Sequence, residues 1–260
     1  MTSLPRPATL AFSAAEQAQF NRDGFVIVRG LADATLCQQM HALARHHLVG
    51  PVPPVEYEAD LHYAGAPESR HAPGGRTVRR LLQAYARDPL LRDWAHSPAL
   101  ATRLRQLLGP TVALSQAHHN CVMTKHPAFS SITGWHQDIR YWSFDRPDLV
   151  SVWLALGPET LDNGCLRVVP GSHTLDLARD RYDEALFFRT DLPDNQVLLA
   201  SQVAAELDAG DVLFFHARLL HAAGRNHTTL TKFAAVFTFH ATDNPPLDGT
   251  RSASLPDVIL

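Results

Sequence analysis

The sequence predicts an α+β chain in which several strands follow a group of helices and form a sandwich or barrel. Two observations favour this class. Before residue 110, capping signals and apolar residues at helical spacing recur, whereas from Thr111 onward short runs rich in Val, Phe, Leu and Thr alternate with turn residues. Strands that come after helices, rather than between them, are typical of a β-rich centre with helices to one side.

Size and composition indicate a single globular domain. The chain has 260 residues, of which 45% are hydrophobic, and all-β barrels of this length are common as one domain. We therefore expect one domain over residues 1–260. The net charge of −3 gives no sign of a nucleic-acid-binding face, and no apolar run approaches the roughly 20 residues that cross a bilayer.

The first ten residues contain Pro5 and Pro7 and lack the continuous apolar core of a secretion signal, so we expect a cytoplasmic protein. The cysteines fit that expectation. They are an odd and widely spaced set, unlike a disulfide framework or a paired metal motif, and are expected to be reduced and buried: Cys37, Cys121 and Cys165.

Local signals define the elements near the amino terminus. Ser13-Ala14-Ala15-Glu16 fits a capping box, so a helix is expected over about 14–22, with Gly24 as its stop. Residues 25–28 read as a strand, and Asp33 is placed to cap a second helix.

Residues 51–75 are rich in Pro and Gly and show little periodicity. Such a segment is either a binding loop or lid, or a linker without function. Two helical patterns follow, at about 77–87 and 98–108, and the second is bounded by Ser97-Pro98 and Gly109-Pro110. Residues 174–196 are a candidate for a second lid.

The strand patterns share short length, apolar and β-branched residues, and flanking turn residues. They lie at 111–125, 133–140, 149–156, 165–169, 211–215 and 231–240.

The motif His136-Gln137-Asp138 is the main candidate for chemistry. Residues at i and i+2 of an extended strand point to the same face, so one imidazole and one carboxylate can reach the same metal ion. A second His from another strand would complete three ligands. Two imidazoles and one carboxylate that leave further positions open are the arrangement of non-haem Fe(II) oxygenases.

The context of this motif resembles the phytanoyl-CoA dioxygenase family of Fe(II)/2-oxoglutarate oxygenases over about residues 20–240. The resemblance rests on an ordered series of blocks: Trp135-His136-Gln137-Asp138, Leu149-Val150-Ser151-Val152-Trp153-Leu154-Ala155-Leu156, Asp162-Asn163-Gly164-Cys165-Leu166-Arg167-Val168-Val169-Pro170-Gly171-Ser172-His173, and Gly210-Asp211-Val212-Leu213-Phe214-Phe215-His216-Ala217-Arg218-Leu219-Leu220-His221.

The resemblance implies a double-stranded β-helix, which is a cupin-like jelly roll, with the amino-terminal helices backing one sheet. It also implies that His136, Asp138 and His221 bind the iron, because His221 occupies the position of the family's late ligand. His216, five residues earlier, is the competing candidate for that role.

The resemblance further implies 2-oxoglutarate and O₂ as cosubstrates. The family usually holds the distal carboxylate of 2-oxoglutarate with an Arg beyond the late His, but here the corresponding residue is Lys232, which offers a point charge without a bidentate fork. Arg225 is the alternative. Lys125, Gln137 and Trp153 resemble positions that line the cosubstrate pocket.

These expectations lead to a dioxygenase that hydroxylates a C–H bond of a small molecule and converts 2-oxoglutarate to succinate and CO₂. The carboxylate of Asp138 favours hydroxylation, since related halogenases carry a small residue there. The alternative is a metal-binding cupin-type barrel without oxygenase activity, either an isomerase or a binding protein.

The substrate is not determined by these patterns. Tyr141, Trp142 and Phe144 follow the metal motif and either line an apolar binding surface or belong to the core. An acyl-CoA, a free acid, an amino acid and a secondary metabolite all stay open.

Overall fold

A computed structural model describes residues 10–260. The expectation about a secretion signal therefore concerns residues that lie almost entirely outside the described part. Within it, the α-helices are α1 (Ala14–Asp23), α2 (Ala34–Val49), α3 (Ala84–Arg87), α4 (Pro89–Ala95), α5 (Pro98–Leu108) and α6 (Pro193–Leu199).

The strands of the described residues form two sheets. They are β1 (Phe25–Val28), β2 (Val55–Tyr57), β3 (Val78–Leu82), β4 (Val112–Lys125), β5 (Thr133–His136), β6 (Leu149–Ala155), β7 (Leu166–Val168), β8 (Val203–Ala205), β9 (Val212–His216), β10 (His221–Ala223), β11 (Lys232–Ala241) and β12 (Val258–Ile259).

The larger sheet has eight strands, in the order β1-β9-β6-β11-β4-β3-β2, with β12 also paired to β4. The smaller sheet has four strands, in the order β5-β10-β7-β8. Two facing antiparallel sheets with helices on the outer side of one of them make a double-stranded β-helix, as the family resemblance implies.

The two faces of the larger sheet have different partners, because side chains alternate along each strand. The outward residues, such as Val152 and Phe237, join Phe20, Met40 and Leu100 of the helices in one core cluster. The inward residues Trp153, Phe215 and Val236 pack instead against Leu166 and Ala223 of the smaller sheet. The space between the sheets is therefore largely apolar.

The predicted elements near the amino terminus are confirmed. Both hydrogen bonds of the capping box are present, since the backbone N–H of Glu16 donates to Ser13 Oγ and the backbone N–H of Ser13 donates to Glu16 Oε2. Gly24 ends α1 with φ +80°, a conformation that glycine adopts without steric cost. Asp33 accepts from the backbone N–H of Leu36 and caps α2.

The helix predicted over 77–87 is wrong for most of its length. Residues 78–82 form β3, which pairs with β2 on one side and β4 on the other, and only Ala84–Arg87 is helical. The apolar residues Val78, Leu81 and Leu82 fit a helical spacing locally, but pairing between two strands distant in sequence overrides that preference. The helix over 98–108 is confirmed.

Other boundaries also differ from the patterns. The strand predicted over 133–140 ends at His136 and is followed by a 3₁₀ turn over Asp138–Tyr141. Residues 174–196 include the first turn of α6, and β10 is a strand of only three residues with no alternating pattern to reveal it.

All three cysteines are buried and unpaired, as expected. Over residues 10–260, none of the helices combines the length and the apolar character required to cross a bilayer.

Phe237 provides a test of the core. Its side chain is fully buried on the helix-facing side of β11, so replacing it with Ala is expected to lower the free energy of unfolding by about 3–5 kcal/mol. Denaturant unfolding followed by circular dichroism measures this. Leu230→Ala is the control, because Leu230 is 77% exposed just before the same strand and its loss is expected to cost little. A loss below 1 kcal/mol for Phe237→Ala would contradict the described core.

Candidate metal centre

The pairing of β5 with β10 places two histidines side by side. His221, the first residue of β10, lies directly opposite His136, the last residue of β5, and their ring centroids are 4.1 Å apart. Gln137 has an extended backbone at φ −118° and ψ 125°, so Asp138 returns to the same face as His136. The geometry expected from the His-x-Asp spacing is therefore present.

The three side chains form a compact cluster. One ligand atom from each of His136, Asp138 and His221 can be chosen so that all three lie within 4.8 Å of one another. Asp138 Oδ1 is 3.6 Å from His136 Nε2 and 3.8 Å from His221 Nε2. One metal ion is able to contact all three atoms.

Both imidazoles are oriented by the backbone. His136 Nδ1 lies 2.9 Å from the carbonyl oxygen of Gly134, and His221 Nδ1 lies 2.9 Å from that of Leu219. A carbonyl oxygen can only accept a hydrogen bond, so the facing Nδ1 must carry the hydrogen. In the neutral form of each ring, Nε2 then has a free lone pair that faces Asp138. This arrangement is typical of metal-binding histidines.

His119 holds the second oxygen of Asp138. His119 Nε2 is 3.1 Å from Asp138 Oδ2, so the carboxylate offers its other oxygen, Oδ1, to the shared space between His136 and His221. A carboxylate held in this way binds a metal through one oxygen and leaves more positions for other ligands. The sequence indicates for His119 either a supporting place behind the metal ligands or a purely structural one, and the spacing of the metal motif does not reveal its contact with Asp138.

The ionisation of the cluster suits a cation. Burial opposes the charge on Asp138, but the His119 and His221 rings and the hydrogen bond from His119 hold its carboxyl pKa well below the usual range. Burial and the neighbouring His136 lower the pKa of His221 to about 4. At neutral pH the cluster therefore presents one carboxylate and an uncharged His221 ring.

The competing candidate His216 lies elsewhere. Its Nδ1 accepts from the backbone N–H of Arg218, and its Nε2 is 3.6 Å from Asp148 Oδ1 on the surface. Among the described residues, the three-residue cluster contains His221 and not His216.

His119, His136 and His221 line a cavity that reaches to the larger sheet. Trp153, Lys125 and Lys232, which were singled out as candidates for binding a cosubstrate, line the same cavity. Lys232 Nζ lies 2.6 Å from Glu159 Oε2, and the indole N–H of Trp153 donates to the other oxygen of Glu159. Glu159 is fully buried, and no pattern in the sequence singles it out as a partner of Lys232.

Lys125 and Lys232 lie directly opposite each other on β4 and β11. Like charges in such cross-strand pairs repel. Lys232 forms an ion pair with Glu159. Lys125 donates to the carbonyl oxygen of Ser131 and forms no ion pair with any described residue within 4.0 Å. Burial, Arg79 and Lys232 lower the pKa of Lys125 to about 7.

Arg79 and Arg80 also line the cavity, and both have acidic partners on the neighbouring strand segment. Arg79 Nη1 is 3.3 Å from the buried Glu58, and Arg80 Nη1 is 3.3 Å from Glu56. The sequence shows these four charged residues, but a helix over 77–87 would not place Arg79 and Arg80 beside Glu58 and Glu56. The pairing of β3 with β2 does so.

Two further candidates from the sequence are not among the residues that line this cavity. The side chain of Gln137 points to the other face of its strand, where it donates to the carbonyl oxygen of Arg218 and accepts from the hydroxyl of Tyr182. Arg225 donates to the carbonyl oxygens of Ser130 and Gly65. Side chains alternate along an extended segment, so the side chain of Gln137 faces away from those of His136 and Asp138.

Comparison with known proteins gives a consistent result. The sequence model described as phytanoyl-CoA dioxygenase (PhyH) matches residues 20–234. A probable phytanoyl-CoA dioxygenase of Caenorhabditis elegans is 27% identical over 194 residues, which are 69% of this chain and 61% of that protein. The human peroxisomal phytanoyl-CoA dioxygenase is 27% identical over 172 residues, covering 62% of this chain and 48% of the human protein. The chain thus spans 48–61% of the length of these relatives.

A solved structure gives the same picture of the fold. The non-haem α-ketoglutarate-dependent epimerase SnoN from nogalamycin biosynthesis has a TM-score of 0.69 and 25% identity, covering 87% of this chain and 82% of that one.

His119 provides a test of the centre. Replacing His119 with Ala removes the hydrogen bond to Asp138 Oδ2, so the carboxylate is no longer held in one orientation. The affinity for Fe(II) is therefore expected to fall roughly 10- to 100-fold. Anaerobic metal titration measures this. His96→Ala is the control, because His96 bonds to the hydroxyl of Tyr85 on the helical side of the protein. Unchanged metal affinity in the His119 variant would show that Asp138 does not depend on this contact.

Proposed function

Because this chain belongs to the phytanoyl-CoA dioxygenase family, we propose that it is an Fe(II)- and 2-oxoglutarate-dependent dioxygenase that hydroxylates a C–H bond of a small molecule. The observation that carries the proposal is a three-residue cluster of metal-binding side chains whose two histidines line the same cavity as a buried lysine pair, in which only Lys232 has a carboxylate partner.

The donor set fits iron. Two neutral imidazoles and one carboxylate that binds through a single oxygen leave the remaining positions of an octahedral ion open, as in non-haem Fe(II) oxygenases. His136 and His221 would bind through Nε2 and Asp138 through Oδ1. Tetrahedral zinc sites more often include Cys or a third His, and the three cysteines lie outside this cluster.

The charges of the cavity fit 2-oxoglutarate. Arg79, Arg80 and Lys232 each have a buried or half-buried carboxylate partner, so Lys125 is the cation left over among the described lining residues. An Fe(II) ion and Lys125 together carry three positive charges. Asp138 and a 2-oxoglutarate dianion carry three negative charges. The cavity would therefore be neutral with both groups bound, which low-dielectric surroundings favour.

We assign the distal carboxylate of 2-oxoglutarate to the lysine pair. Lys232 is the residue that the sequence resemblance points to, and Lys125 lies opposite it with its charge uncompensated. Arg225 is already bonded to two carbonyl oxygens outside the cavity lining, so we do not include it.

Bound iron, with 2-oxoglutarate and O₂, would supply an oxidant that abstracts hydrogen from the substrate and would convert 2-oxoglutarate to succinate and CO₂. The chain's own residues would bind and orient these reactants. The apolar packing of Trp153, Phe215 and Leu166 around the cavity would exclude water. We also propose that residues 1–260 act as one domain, since helices α1, α2 and α5 share a core with the larger sheet.

Stepwise anaerobic addition of Fe(II) and then 2-oxoglutarate tests the proposal without knowledge of the substrate. The weak visible charge-transfer band of a chelated 2-oxo acid is expected after the second addition, and it is expected to be absent in His221→Ala. His216→Ala is the matched control. Metal binding without this band would favour a cupin-type barrel that is not an oxygenase.

The lysines can be tested separately from the metal. Lys125→Met is expected to weaken 2-oxoglutarate binding roughly 10- to 100-fold, because it removes a charge-assisted contact in a dry pocket. Lys232→Met alone would leave Glu159 buried without its cation, so the double variant Lys232→Met/Glu159→Gln is the cleaner test and is expected to weaken binding similarly. Arg225→Met is expected to bind 2-oxoglutarate with the affinity of the unchanged protein. If Arg225→Met weakened binding and the lysine variants did not, the distal carboxylate of 2-oxoglutarate would be assigned to Arg225.

The affinity for 2-oxoglutarate is also expected to depend on pH. The pKa of Lys125 in the free protein is lowered to about 7, so the cation that the dianion requires is present below pH 7 and is lost as the pH rises through 7. Binding above pH 7 must therefore take up a proton, and the affinity should fall by up to about tenfold per pH unit. Calorimetric titration at several pH values measures this. A dependence that persists in Lys125→Met would assign it to another group.

A further inference from the structure

Residues 51–75 and 174–196, the two candidate lids of the sequence, meet next to the cluster of His136, Asp138 and His221. Tyr63 from the first segment and Phe187 from the second have ring centroids 5.3 Å apart at an interplanar angle of 80°. The ring centroid of Phe187 is 6.0 Å from that of His136, and the ring centroid of Tyr141 is 6.2 Å from it. We call Tyr63, Tyr141 and Phe187 the aromatic wall.

Hydrogen bonds hold Phe187 in place. The backbone N–H of Phe187 donates to Asp183 Oδ1, and that of Asp183 donates to the carbonyl oxygen of Phe187, so residues 183–187 form a closed turn. The backbone N–H of Phe188 donates to the carbonyl oxygen of Trp135, which directly precedes His136. The ring of Phe187 lies so close to Gly134 that a Cβ there would be 3.0 Å from it. The position of Phe187 is thus set by the strand that carries His136.

The other two rings have partners of a different kind. Tyr141 donates its hydroxyl to the carbonyl oxygen of Ala185, which links it to the turn that carries Phe187. Beside Tyr63, the carbonyl oxygen of Ala64 accepts from the backbone N–H of Ile132, and Gly65 accepts from Arg225. The Arg79 guanidinium lies 4.8 Å from the centre of the Tyr63 ring. The wall is a preorganised surface and is not a free loop.

The wall carries no net charge. Its members are two phenols and a phenyl ring, and burial, Tyr63 and Asp183 raise the pKa of Tyr141 above the usual value of a phenol, so it stays protonated. Of the four cations that line the adjoining cavity, three are paired with glutamates and Lys125 is assigned to the cosubstrate. An anionic substrate would therefore find no uncompensated cation among the described lining residues.

We propose that the aromatic wall binds a neutral substrate that carries an aromatic or other planar ring and places it beside His136, and this assignment rests on the proposed oxygenase function. Rings set nearly perpendicular to one another offer both a face and an edge to a third ring, which stabilises it beyond the effect of buried area alone. Amino acids, free acids and coenzyme A thioesters carry charges that the three rings of the wall do not neutralise.

The test compares three probes of similar size by anaerobic equilibrium dialysis against the protein loaded with Fe(II) and 2-oxoglutarate. They are 2-naphthol, its anionic counterpart 2-naphthoate, and its saturated counterpart decahydro-2-naphthol. We expect 2-naphthol to bind at low millimolar concentration or better, 2-naphthoate to bind at least about tenfold more weakly, and the saturated alcohol to bind roughly three- to tenfold more weakly.

Variants locate the binding. Phe187→Leu and Tyr63→Leu are expected to weaken 2-naphthol binding roughly three- to tenfold while the charge-transfer band persists. The matched controls are Phe129→Leu, a ring that packs on His126, and Tyr85→Leu, whose hydroxyl bonds to His96, and both are expected to bind 2-naphthol normally.

The outcomes separate the two proposals. Absence of the charge-transfer band in the unchanged protein refutes the proposed function. A normal band with no binding of 2-naphthol, with equal or tighter binding of 2-naphthoate, or with no effect of the wall variants refutes the aromatic wall alone. Equal binding of the saturated alcohol refutes the preference for a planar ring.

Discussion

The register between β5 and β10 is the constraint on which the rest of the site depends. It places His136 opposite His221, and the pairing becomes irregular immediately after His221. Because side chains alternate along a strand, a slip by one residue would turn one of the two imidazoles away from the other. β10 is a short strand, held between β5 and β7, and that central position in the smaller sheet fixes its register.

The second organising feature is the accumulation of buried charge between the sheets. Four cations line one cavity, and three glutamates and Asp138 lie next to it. Burying so many ionised groups costs free energy unless each is compensated. The apolar packing of the remaining inward residues supplies stability, whereas the proposed site for metal and cosubstrate uses the charged residues of the same strands.

Sequence patterns predict much of this protein and fail in identifiable places. The capping box at Ser13, the strands from Val112 onward and the grouping of His136 with Asp138 depend on local chemistry, so they are readable. The strand over 78–82 and the role of His119 depend on partners far away in sequence, and local patterns do not contain them. The direction of Gln137 was readable from strand alternation, but its place within the family motif obscured it.

The turn that carries Phe187 also has a structural consequence beyond the site. β5 is an outer strand of the smaller sheet, and such a strand exposes unpaired backbone groups that can recruit a strand from another molecule. The bond from Phe188 to Trp135 covers part of that edge. Shortening or loosening this turn to admit larger molecules would therefore uncover a surface prone to intermolecular β-pairing, so redesign of this region has to preserve colloidal solubility as well as the shape of the opening.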